Sequence, residues 1–246
     1  MSMDPGIGPR YQHSTKYQRG SMPTAPPMLG MVPPFKQYED PLSYIDLPAP
    51  TKTDGPGLWQ AIADRRSKRV FAEEPISLQQ LSQLVWATAG ATGGDAEHPL
   101  RACASAGALY PNETYLFVNT VTGAPAGIYH YEIAGHRLAM LSEGDFSRDV
   151  AMACLGQRYC ASACVVFAWA AVFGRCAQKY ADRALRYVYL DAGHMGAQVQ
   201  LAAEALGLGS VNIGAFFDDE VNHLLGLDGN AETIVYLTAV GTLKGL

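Results

Sequence analysis

Apolar residues spaced three and four positions apart predict an amphipathic helix that begins after Ser77 and ends at Gly90. Ser77 and Gln80 have the spacing of a capping box, in which each side chain bonds to a free backbone amide of the other. The apolar stripe consists of Leu78, Leu81, Leu84 and Val85. One face of this helix is therefore expected to be buried.

A shorter helix is expected upstream, ending near Ser67. Asp54 and Pro56 suit its cap and first turn, because aspartate accepts a bond from a free amide and proline has no amide to leave unpaired. Its apolar face would be formed by Leu58, Ala61 and Ile62.

The longest apolar stretch, residues 161–173, predicts a buried central strand at 165–172. It is shorter than the roughly 20 residues that a membrane-spanning helix needs, so no membrane span is expected. Other β-branched and aromatic runs, with Gly123 and Gly135 at turns, predict further strands. These lie at residues 115–119, 127–132, 138–141, 209–213 and 233–240.

Helical patterns alternate with these strands in the second half of the chain. They cover residues 146–155, 179–206 and 218–225. Asp218 is expected to cap the last helix, while Asp219 and Glu220 would interact favourably with the positive end of its dipole. The order of elements predicts an α+β fold.

The first 56 residues are interpreted as an N-terminal arm, and residues 57–246 as one domain. The arm holds most of the 15 prolines, and such a composition cannot close a core by itself. Its aromatic residues could anchor it to the body or to a partner subunit. These are Tyr11, Tyr17, Phe35, Tyr38 and Tyr44. For residues 1–30 a disordered tail is an equal alternative.

The composition supports one sizeable hydrophobic core. The chain has 246 residues, of which 48% are hydrophobic and 17% are charged. The net charge of -5 argues against a nucleic-acid partner or an anionic membrane surface, since both require a basic patch. A small molecule or a peptide is the expected partner. No apolar segment of a secretory signal follows the start, so the cytoplasm is the predicted location.

The five cysteines are expected to be reduced, buried thiols. Their number is odd, and four of them lack the paired spacing that holds a tetrahedral metal. These four are Cys154, Cys160, Cys164 and Cys176. A structural zinc site is the disfavoured alternative, and no metal site is predicted.

A basic run of four cations and one hydroxyl stands where the upstream helix is expected to end. It consists of Arg65, Arg66, Ser67, Lys68 and Arg69. Arginine presents a rigid fork of donors that matches phosphate oxygens, and it remains charged at any working pH. One interpretation is therefore a phosphate-binding segment. The other is a solvated helix end whose cations complement the negative pole of the dipole.

Residues 105–113 form a stretch of small residues followed by a tyrosine-proline turn. It reads SAGALYPNE, and its small side chains would let the backbone approach a flat ligand. Packing of a simple turn is the alternative. Gly207 and Gly209 do not form a dinucleotide fingerprint, because they follow a helix and precede a strand. The chain also lacks the P-loop, GxSxG and HExxH motifs.

The long predicted helix carries further candidates for chemistry. Lys179 and Tyr180 open it, and the spacing of Lys179, Arg183 and Arg186 places these three on one face. A solvated basic face is the alternative, and it is favoured for Arg186. His194 is more often a hydrogen-bonded core histidine than a catalyst.

Taken in order, these motifs resemble the nitroreductase superfamily, and in particular its SagB-type branch of azoline dehydrogenases. The resemblance covers about residues 57–241, with a weaker echo at 13–17. RRSKR at 65–69 is similar to the superfamily's FMN-phosphate motif, and SAGALYP at 105–111 is the most specific marker of the branch. KYADR at 179–183, LDAGH at 190–194 and GAFFDDEVNHLLGLD at 214–228 complete the match.

The resemblance implies a nitroreductase-like fold, with a central mixed or antiparallel sheet flanked by helices, in a homodimer that binds FMN between its subunits. It also implies that Lys179 and Tyr180 are catalytic, since a proton must leave the substrate along with its hydride, and His194 is a weaker third candidate. The implied cofactor-binding residues are Arg65, Arg66, Ser67, Arg69, Ser105, Ala106, Gly107, Ala108, Leu109, Asn212, Ile213, Gly214, Ala215 and Lys244.

Several positions depart from the pattern of the branch. Ala104 stands where a proline usually precedes the serine, Asp191 replaces the usual glutamate, and Lys244 is the one late cation available to a phosphate. The longer N-terminal domain of some azoline oxidases has no counterpart in this sequence. That weakens the expectation that this chain itself docks a precursor peptide.

The predicted function is an FMN-dependent dehydrogenase that oxidises thiazoline or oxazoline rings of a peptide or small molecule, with a cyclase as a candidate partner. Oxygen or another acceptor would reoxidise the flavin. An NAD(P)H-dependent nitro- or quinone reductase is the first alternative. The second is a flavin-binding accessory subunit without turnover, and the presence of Lys179 and Tyr180 counts against it.

Overall fold

The computed structural model describes residues 6–20, 32–53, 55–95 and 99–244. Asp54, the predicted cap of the upstream helix, lies outside the described residues. So do residues 1–5 and 21–31, which include half of the segment for which a disordered tail is one interpretation.

Helices and strands alternate irregularly along the described chain. The helices are α1 (Ile7–Ser14), α2 (Leu58–Asp64), α3 (Leu78–Ala89), α4 (Ser147–Ala153), α5 (Tyr159–Ser162), α6 (Phe173–Tyr180), α7 (Ala184–Ala205) and α8 (Asp218–Leu225). The strands are β1 (Ser43–Asp46), β2 (Ile76–Ser77), β3 (Ala91–Gly94), β4 (Pro99–Arg101), β5 (Asn112–Val118), β6 (Val121–Thr122), β7 (Gly127–Glu132), β8 (Arg137–Glu143), β9 (Val165–Val172), β10 (Gly209–Ile213) and β11 (Glu232–Gly241).

Seven strands form the main sheet in the order β1-β8-β7-β5-β9-β11-β10, and every neighbouring pair is antiparallel. Two short ladders lie apart from it, β2 with β6 and β3 with β4. The predicted α+β fold, a central sheet flanked by helices, is confirmed.

Helices cover both faces of the main sheet, and β9 shows the consequence for sequence. Val165, Phe167 and Trp169 pack in the layer that contains α3 and α7. Val166 and Ala168 pack on the opposite face with α4, α5 and α8. Because successive side chains of a strand point to opposite faces, a strand covered on both sides is apolar throughout. The predicted buried strand is confirmed with its predicted bounds.

Helix α3 begins and ends where the sequence predicts. The amide of Gln80 donates to Ser77 Oγ at 3.1 Å, and the amide of Ser77 donates to Gln80 Oε1 at 2.9 Å, which confirms the capping box. Three residues of the predicted apolar stripe are fully buried, and the fourth, Leu78, packs against the core. Gly90 follows the last helical residue.

Two predicted helix ends are wrong. Helix α2 stops at Asp64, before Ser67, because Arg65 adopts an extended conformation with ψ of 123°. In α8 the N-cap position belongs to Phe217, and Asp218 is the first helical residue, so Asp218 is not the cap. The three acidic residues do lie in the first turn of α8, as predicted.

The predicted long helix over residues 179–206 is wrong at its start. Helix α6 ends at Tyr180, Ala181 has φ 48° and ψ -139°, and a short 3-10 turn leads into α7. A residue with positive φ cannot continue a right-handed helix. Lys179 and Tyr180 therefore end α6 instead of opening α7. Local sequence conceals this break, since alanine is intrinsically the best helix former.

The described parts of the arm lie on the body, and each of its aromatic anchors makes a contact there. Tyr11 bonds to the start of α7, Tyr17 stacks with Arg183, Phe35 with Arg101, Tyr38 bonds to Tyr115, and Tyr44 stacks with Arg137. Strand β1, which belongs to the predicted arm, forms an edge of the main sheet. The division of the chain at residue 56 stays a prediction.

All five cysteines are free and buried, as expected for reduced thiols. Within the described ranges, histidine, cysteine and acidic side chains form no group of three or more that could hold a metal ion. The same ranges contain no helix that is both long enough and apolar enough to cross a membrane.

Candidate active site

The small-residue stretch forms a tight loop, residues 105–111, that Asp191 of α7 holds in place. Ser105 Oγ donates to Asp191 Oδ2 at 2.6 Å, and the amide of Ala106 donates to Asp191 Oδ1 at 3.2 Å. Ser105 Oγ also accepts from the amide of Tyr110 at 2.8 Å, which closes the loop on itself. Burial raises the pKa of Asp191, against the lowering effect of its two donors.

The backbone of this loop explains its small residues. Gly107, Ala108 and Tyr110 have φ of 66°, 55° and 46°, in the left-handed region that glycine adopts with least strain. A Cβ on Gly107 would lie 2.6 Å from Tyr180 Oη and 2.7 Å from Lys179 Nζ. The structure therefore brings the loop and the predicted catalytic pair together at one point. The remaining loop residues named for the cofactor, Ser105, Ala106 and Leu109, flank that point.

The basic run passes along the outer edge of the sheet beside β10. Ser67 pairs with Ser210 in a single parallel bridge. Shortly after the run, Phe71 pairs with Leu243 in an antiparallel bridge. Lys244, the late cation, therefore lies on the same edge of the sheet and is exposed.

The cations of the run differ in their surroundings. Lys68 Nζ forms an ion pair with Glu204 Oε2 at 3.0 Å, and within the described part of the chain Lys68 is the member of the run with a carboxylate partner. Arg66 Nη1 donates to two carbonyl oxygens at the end of α2, both at 2.8 Å. Arg66 and Arg69 are exposed, and Arg65 is half-buried. The arginines thus retain positive charge that an anion could neutralise.

The end of β10 presents small residues beside a fixed amide. Asn212 Nδ2 donates to Gln200 Oε1 at 3.1 Å, and its Oδ1 accepts from a threonine hydroxyl of β11 at 2.6 Å. Ile213 is buried, whereas Gly214 and Ala215 are exposed. The last two residues therefore offer accessible backbone to a ligand.

One chain does not bring the two halves of the predicted site together. Helix α7 contacts both halves: Asp191 holds the loop, and Glu204 pairs with Lys68 of the basic run. With an axial rise of 1.5 Å per residue, about 13 residues separate these two contacts by ~20 Å along the helix. The loop and the predicted catalytic pair lie at the N-terminal part of α7, and the basic run lies at its C-terminal part.

Comparison with known proteins shows which protein family has this sequence and fold. Residues 62–242 match the sequence profile of the nitroreductase family. The chain belongs to the nitroreductase family. The matched region includes the basic run, the loop, the end of β10 and both predicted catalytic residues.

Two relatives of this nitroreductase-family chain are similar in sequence. A Methanocaldococcus jannaschii protein with a provisional nitroreductase name is 36% identical over 168 residues, which cover 68% of this chain and 83% of the relative. The trifolitoxin-processing protein TfxB of Rhizobium leguminosarum bv. trifolii is 32% identical over 117 residues, which cover 46% of this chain and 31% of TfxB.

Solved structures show the same fold. A provisionally named nitroreductase from Anabaena variabilis aligns with a TM-score of 0.77 and 26% identity over 99% of this chain, which spans 49% of the Anabaena chain. The E. coli microcin synthetase McbBCD complex with truncated pro-MccB17 bound gives 0.62 and 18%, covering 92% of this chain and 86% of that chain. The Vibrio harveyi NADPH:FMN oxidoreductase complexed with NAD+ gives 0.54 and 20%, covering 76% and 69%. The last two likenesses show the fold alone.

In this nitroreductase-family chain a buried charge network lies behind the loop, and the sequence motifs do not reveal it. Glu113 Oε1 contacts Arg175 Nη1 at 2.5 Å, and Glu113 Oε2 contacts His130 Nε2 at 2.8 Å, with all three side chains at most 3% exposed. Burial raises the pKa of Glu113, but the hydrogen bond and charge of His130 and the charge of Arg175 outweigh it and lower the pKa to about 2. The carboxylate is therefore ionised at neutral pH.

Arg175 connects this network to the loop and to the arm. Its Nη1 donates to Tyr110 O at 3.2 Å, and its Nε donates to Pro33 O at 2.6 Å. Arg101 donates to Pro34 O at 3.2 Å, and burial lowers its pKa to about 10. The sequence does contain a signal for this network. Glu113 is a charged residue inside the otherwise buried strand β5, and such residues are rare unless they are paired.

Two predicted placements are wrong. His194 is exposed, with Nδ1 3.4 Å from Ala104 O, so it is not a core histidine. Arg183 and Arg186 do not share a helical face with Lys179, because the chain breaks between α6 and α7. Both arginines contact the arm instead.

Proposed function

We propose that this member of the nitroreductase family is an FMN-dependent dehydrogenase that oxidises thiazoline or oxazoline rings in a peptide or small-molecule precursor. The observation that carries the proposal is the contact of Gly107 with Lys179 and Tyr180. It places an amine and a hydroxyl against a glycine of the small-residue loop, the part of the chain that in this proposal approaches a flat ring.

The basic run suits the phosphate of FMN. Arg66 and Arg69 are exposed, Arg65 is half-buried beside them, and Lys244 lies on the same edge of the sheet. Guanidinium groups bind phosphate oxygens through two parallel N–H bonds, and the Ser67 hydroxyl adds a further donor. These five residues would hold the phosphate.

Two groups of residues suit the flavin ring, because each contains small side chains. One group is the end of β10, residues 212–215, on the same side of the chain as the basic run. The other group is the loop, residues 105–109. Because the basic run and the loop lie ~20 Å apart along α7 in one chain, we place the loop of a second copy over each flavin. Each site would then contain both chains of a homodimer.

The surface of α2 and α7 supports such a homodimer. Five large apolar residues on these helices are between 47% and 81% exposed, and large apolar side chains that remain exposed in one chain can be buried between two. They are Leu58, Trp59, Ile62, Tyr189 and Leu190. Light scattering at low micromolar concentration tests the assembly. A mass near 26.4 kDa with flavin bound would contradict it.

The residues of the chain have distinct parts in the reaction. When bound, FMN supplies an acceptor for the hydride of the azoline ring. Lys179 Nζ takes the proton that leaves the neighbouring ring atom, and Tyr180 Oη orients the ring or relays that proton. Asp191 holds Gly107 in the position that both groups face.

The comparisons support the class of substrate. TfxB is named for the processing of trifolitoxin, and the microcin synthetase complex holds truncated pro-MccB17. One name states the processing of a product and the other a synthetase with a pro-form bound. A cyclase that forms the azoline ring is the partner that this chemistry requires.

An NAD(P)H-dependent nitro- or quinone reductase is the second candidate. It is favoured by the shared fold of the Vibrio harveyi enzyme, whose name states use of NADPH. Anaerobic mixing of the flavin-loaded protein with a thiazoline model peptide, and separately with NADPH, distinguishes the two. We expect the peptide to bleach the flavin and NADPH to leave it oxidised. Bleaching by NADPH alone would establish the reductase, and bleaching by neither would favour an accessory subunit.

A further inference from the structure

Helix α7 begins without a cap of its own. Its N-cap residue is Arg183, whose side chain forms no capping hydrogen bond with the first turn. The first amides of any α-helix lack partners within the helix, so an end like this one requires acceptors from elsewhere.

The preceding turn supplies one acceptor, since the amide of Ala184 donates to Ala181 O. The arm supplies another. The amide of Arg186, the third residue of α7, donates to Tyr11 Oη at 2.9 Å, and Tyr11 Oη in turn lies 3.5 Å from the carbonyl oxygen of Arg183. The third helical amide is a usual partner of an N-cap side chain. The hydroxyl of Tyr11 therefore occupies the place of a cap, although it is distant in sequence.

The same stretch of arm also fixes the Arg183 side chain. Arg183 Nη1 donates to Thr15 O at 2.5 Å, and the guanidinium carbon lies 4.3 Å from the centre of the Tyr17 ring. Thr15 is buried, and its hydroxyl donates to Tyr11 O at 2.8 Å. Residues 11–17 thus form a clasp, named here the arm clasp, around the start of α7.

A chain of tyrosines links the arm clasp to the candidate active site. Arg183 Nε donates to Tyr187 Oη at 3.1 Å, and this bond, together with the neighbouring Tyr17 hydroxyl, lowers the pKa of Tyr187 against the effect of burial. The Tyr187 ring lies 4.5 Å from the ring of Tyr180. Between Tyr180 and α7 stands Ala181, whose positive φ is strained for a residue with a side chain and persists where its surroundings impose it.

We propose that the arm clasp caps helix α7 and thereby positions Lys179 and Tyr180 against Gly107, with Tyr11 as the positioning residue. The cap is independent of the reaction, whereas its effect on turnover rests on the proposed function. The arm thus contributes to the geometry of the candidate active site, even though its composition resembles that of a linker.

The test compares Tyr11→Phe with Tyr44→Phe in the full-length, flavin-loaded protein. Both variants lose one hydroxyl of the arm, but that of Tyr44 bonds at 3.4 Å to Tyr38 O, away from α7. The measurements are hydrogen exchange of residues 177–187, FMN affinity, and kcat and KM for a thiazoline model peptide. Tyr17→Phe is the second test variant, because it keeps the ring on Arg183 and removes the hydroxyl that interacts with Tyr187.

Tyr11→Phe should accelerate exchange at the Arg186 amide by about fivefold or more, as loss of one net hydrogen bond implies. It should lower kcat at least about tenfold while FMN affinity stays within about twofold. Tyr17→Phe should lower kcat and leave the exchange of Arg186 unchanged, and Tyr44→Phe should change neither.

Unchanged exchange in Tyr11→Phe overturns the cap, and faster exchange with unchanged kcat overturns the positioning role. A wild-type protein without turnover refutes the proposed function, while hydrogen exchange across residues 177–187 still decides whether the clasp orders the junction.

Discussion

Ser105 Oγ and Asp191 Oδ2 lie 2.6 Å apart, and this hydrogen bond joins the loop of the candidate active site to helix α7. The two residues are 86 positions apart in the chain. The resemblance to the SagB-type branch expects glutamate at 191, so a shorter side chain makes the contact here. Gly107, two residues after Ser105, lies beside Lys179 and Tyr180 in the same loop.

Replacing Asp191 by alanine should lower the free energy of unfolding by about 1–3 kcal/mol, because it leaves the Ser105 hydroxyl and the Ala106 amide without their acceptor. Urea unfolding measures the effect. Asp46→Ala, on the exposed edge strand β1, is the matched control and should change stability by less than about 0.5 kcal/mol. Equal stabilities of the two variants would show that Asp191 does not hold the loop.

The buried Glu113 should make stability depend on acid pH. Its folded-state pKa of about 2 lies below the value of an unfolded glutamate. Its contribution is therefore complete above the unfolded pKa, near 4.3, and is lost as the pH falls toward 2. Urea unfolding between pH 3 and pH 7 should show this loss in the wild-type protein.

Glu113→Gln should remove that part of the pH dependence. At neutral pH it should cost about 3–5 kcal/mol, since Arg175 is left buried without its counter-charge. Glu220→Gln, an exposed residue in the first turn of α8, should keep the wild-type slope. A Glu113→Gln protein with the wild-type slope below pH 5 would contradict the assignment.

The purified protein should be yellow, with one FMN per subunit held by the basic run. Replacing Arg66 and Arg69 together by alanine removes two charge-assisted contacts of about 1.5–3 kcal/mol each, so FMN affinity should fall at least about 100-fold. Fluorescence titration with FMN measures this. Arg148→Ala, an exposed arginine on α4, should bind FMN as the wild type does. A colourless wild-type protein that takes up no added FMN would refute the proposal.

Lys179→Ala should keep the flavin and lose turnover by about 10²–10⁴-fold, the usual contribution of a general base. Tyr180→Phe should lose less, because an orienting hydroxyl is easier to replace. The rates are measured with a thiazoline model peptide under aerobic conditions. If Lys179→Ala turned over at the wild-type rate with FMN fully bound, Lys179 would be a surface residue without a catalytic role.

Gly107→Ala should lower turnover because the new Cβ would collide with Tyr180 Oη and Lys179 Nζ. Gly156→Ala is a close control: Gly156 has φ of 72°, similar to the 66° of Gly107, and nothing lies within 4 Å of its added Cβ. Both variants carry similar backbone strain, so both should lose some stability. Only Gly107→Ala should also lose kcat, and equal kcat in the two would mean that the close contact has no part in turnover.

Much of the fold follows from local patterns. The capping box of α3 and the unbroken apolar run of β9 were predictable because each depends on residues close together in the chain. The basic run and the small-residue loop could likewise be named as binding candidates from residue type alone. Short-range hydrogen bonds and the alternation of side chains determine these features.

Tertiary structure alone decided the rest. The break at Ala181 opposes the intrinsic preference of alanine for helix, and it is held by residues 11–17 of the arm. The contacts of Glu113 with His130 and Arg175 join β5, β7 and α6, whose order in space no local pattern specifies. Contacts between residues far apart in sequence depend on how the sheet and helices pack, so the candidate site could be listed by residue but not assembled from the sequence.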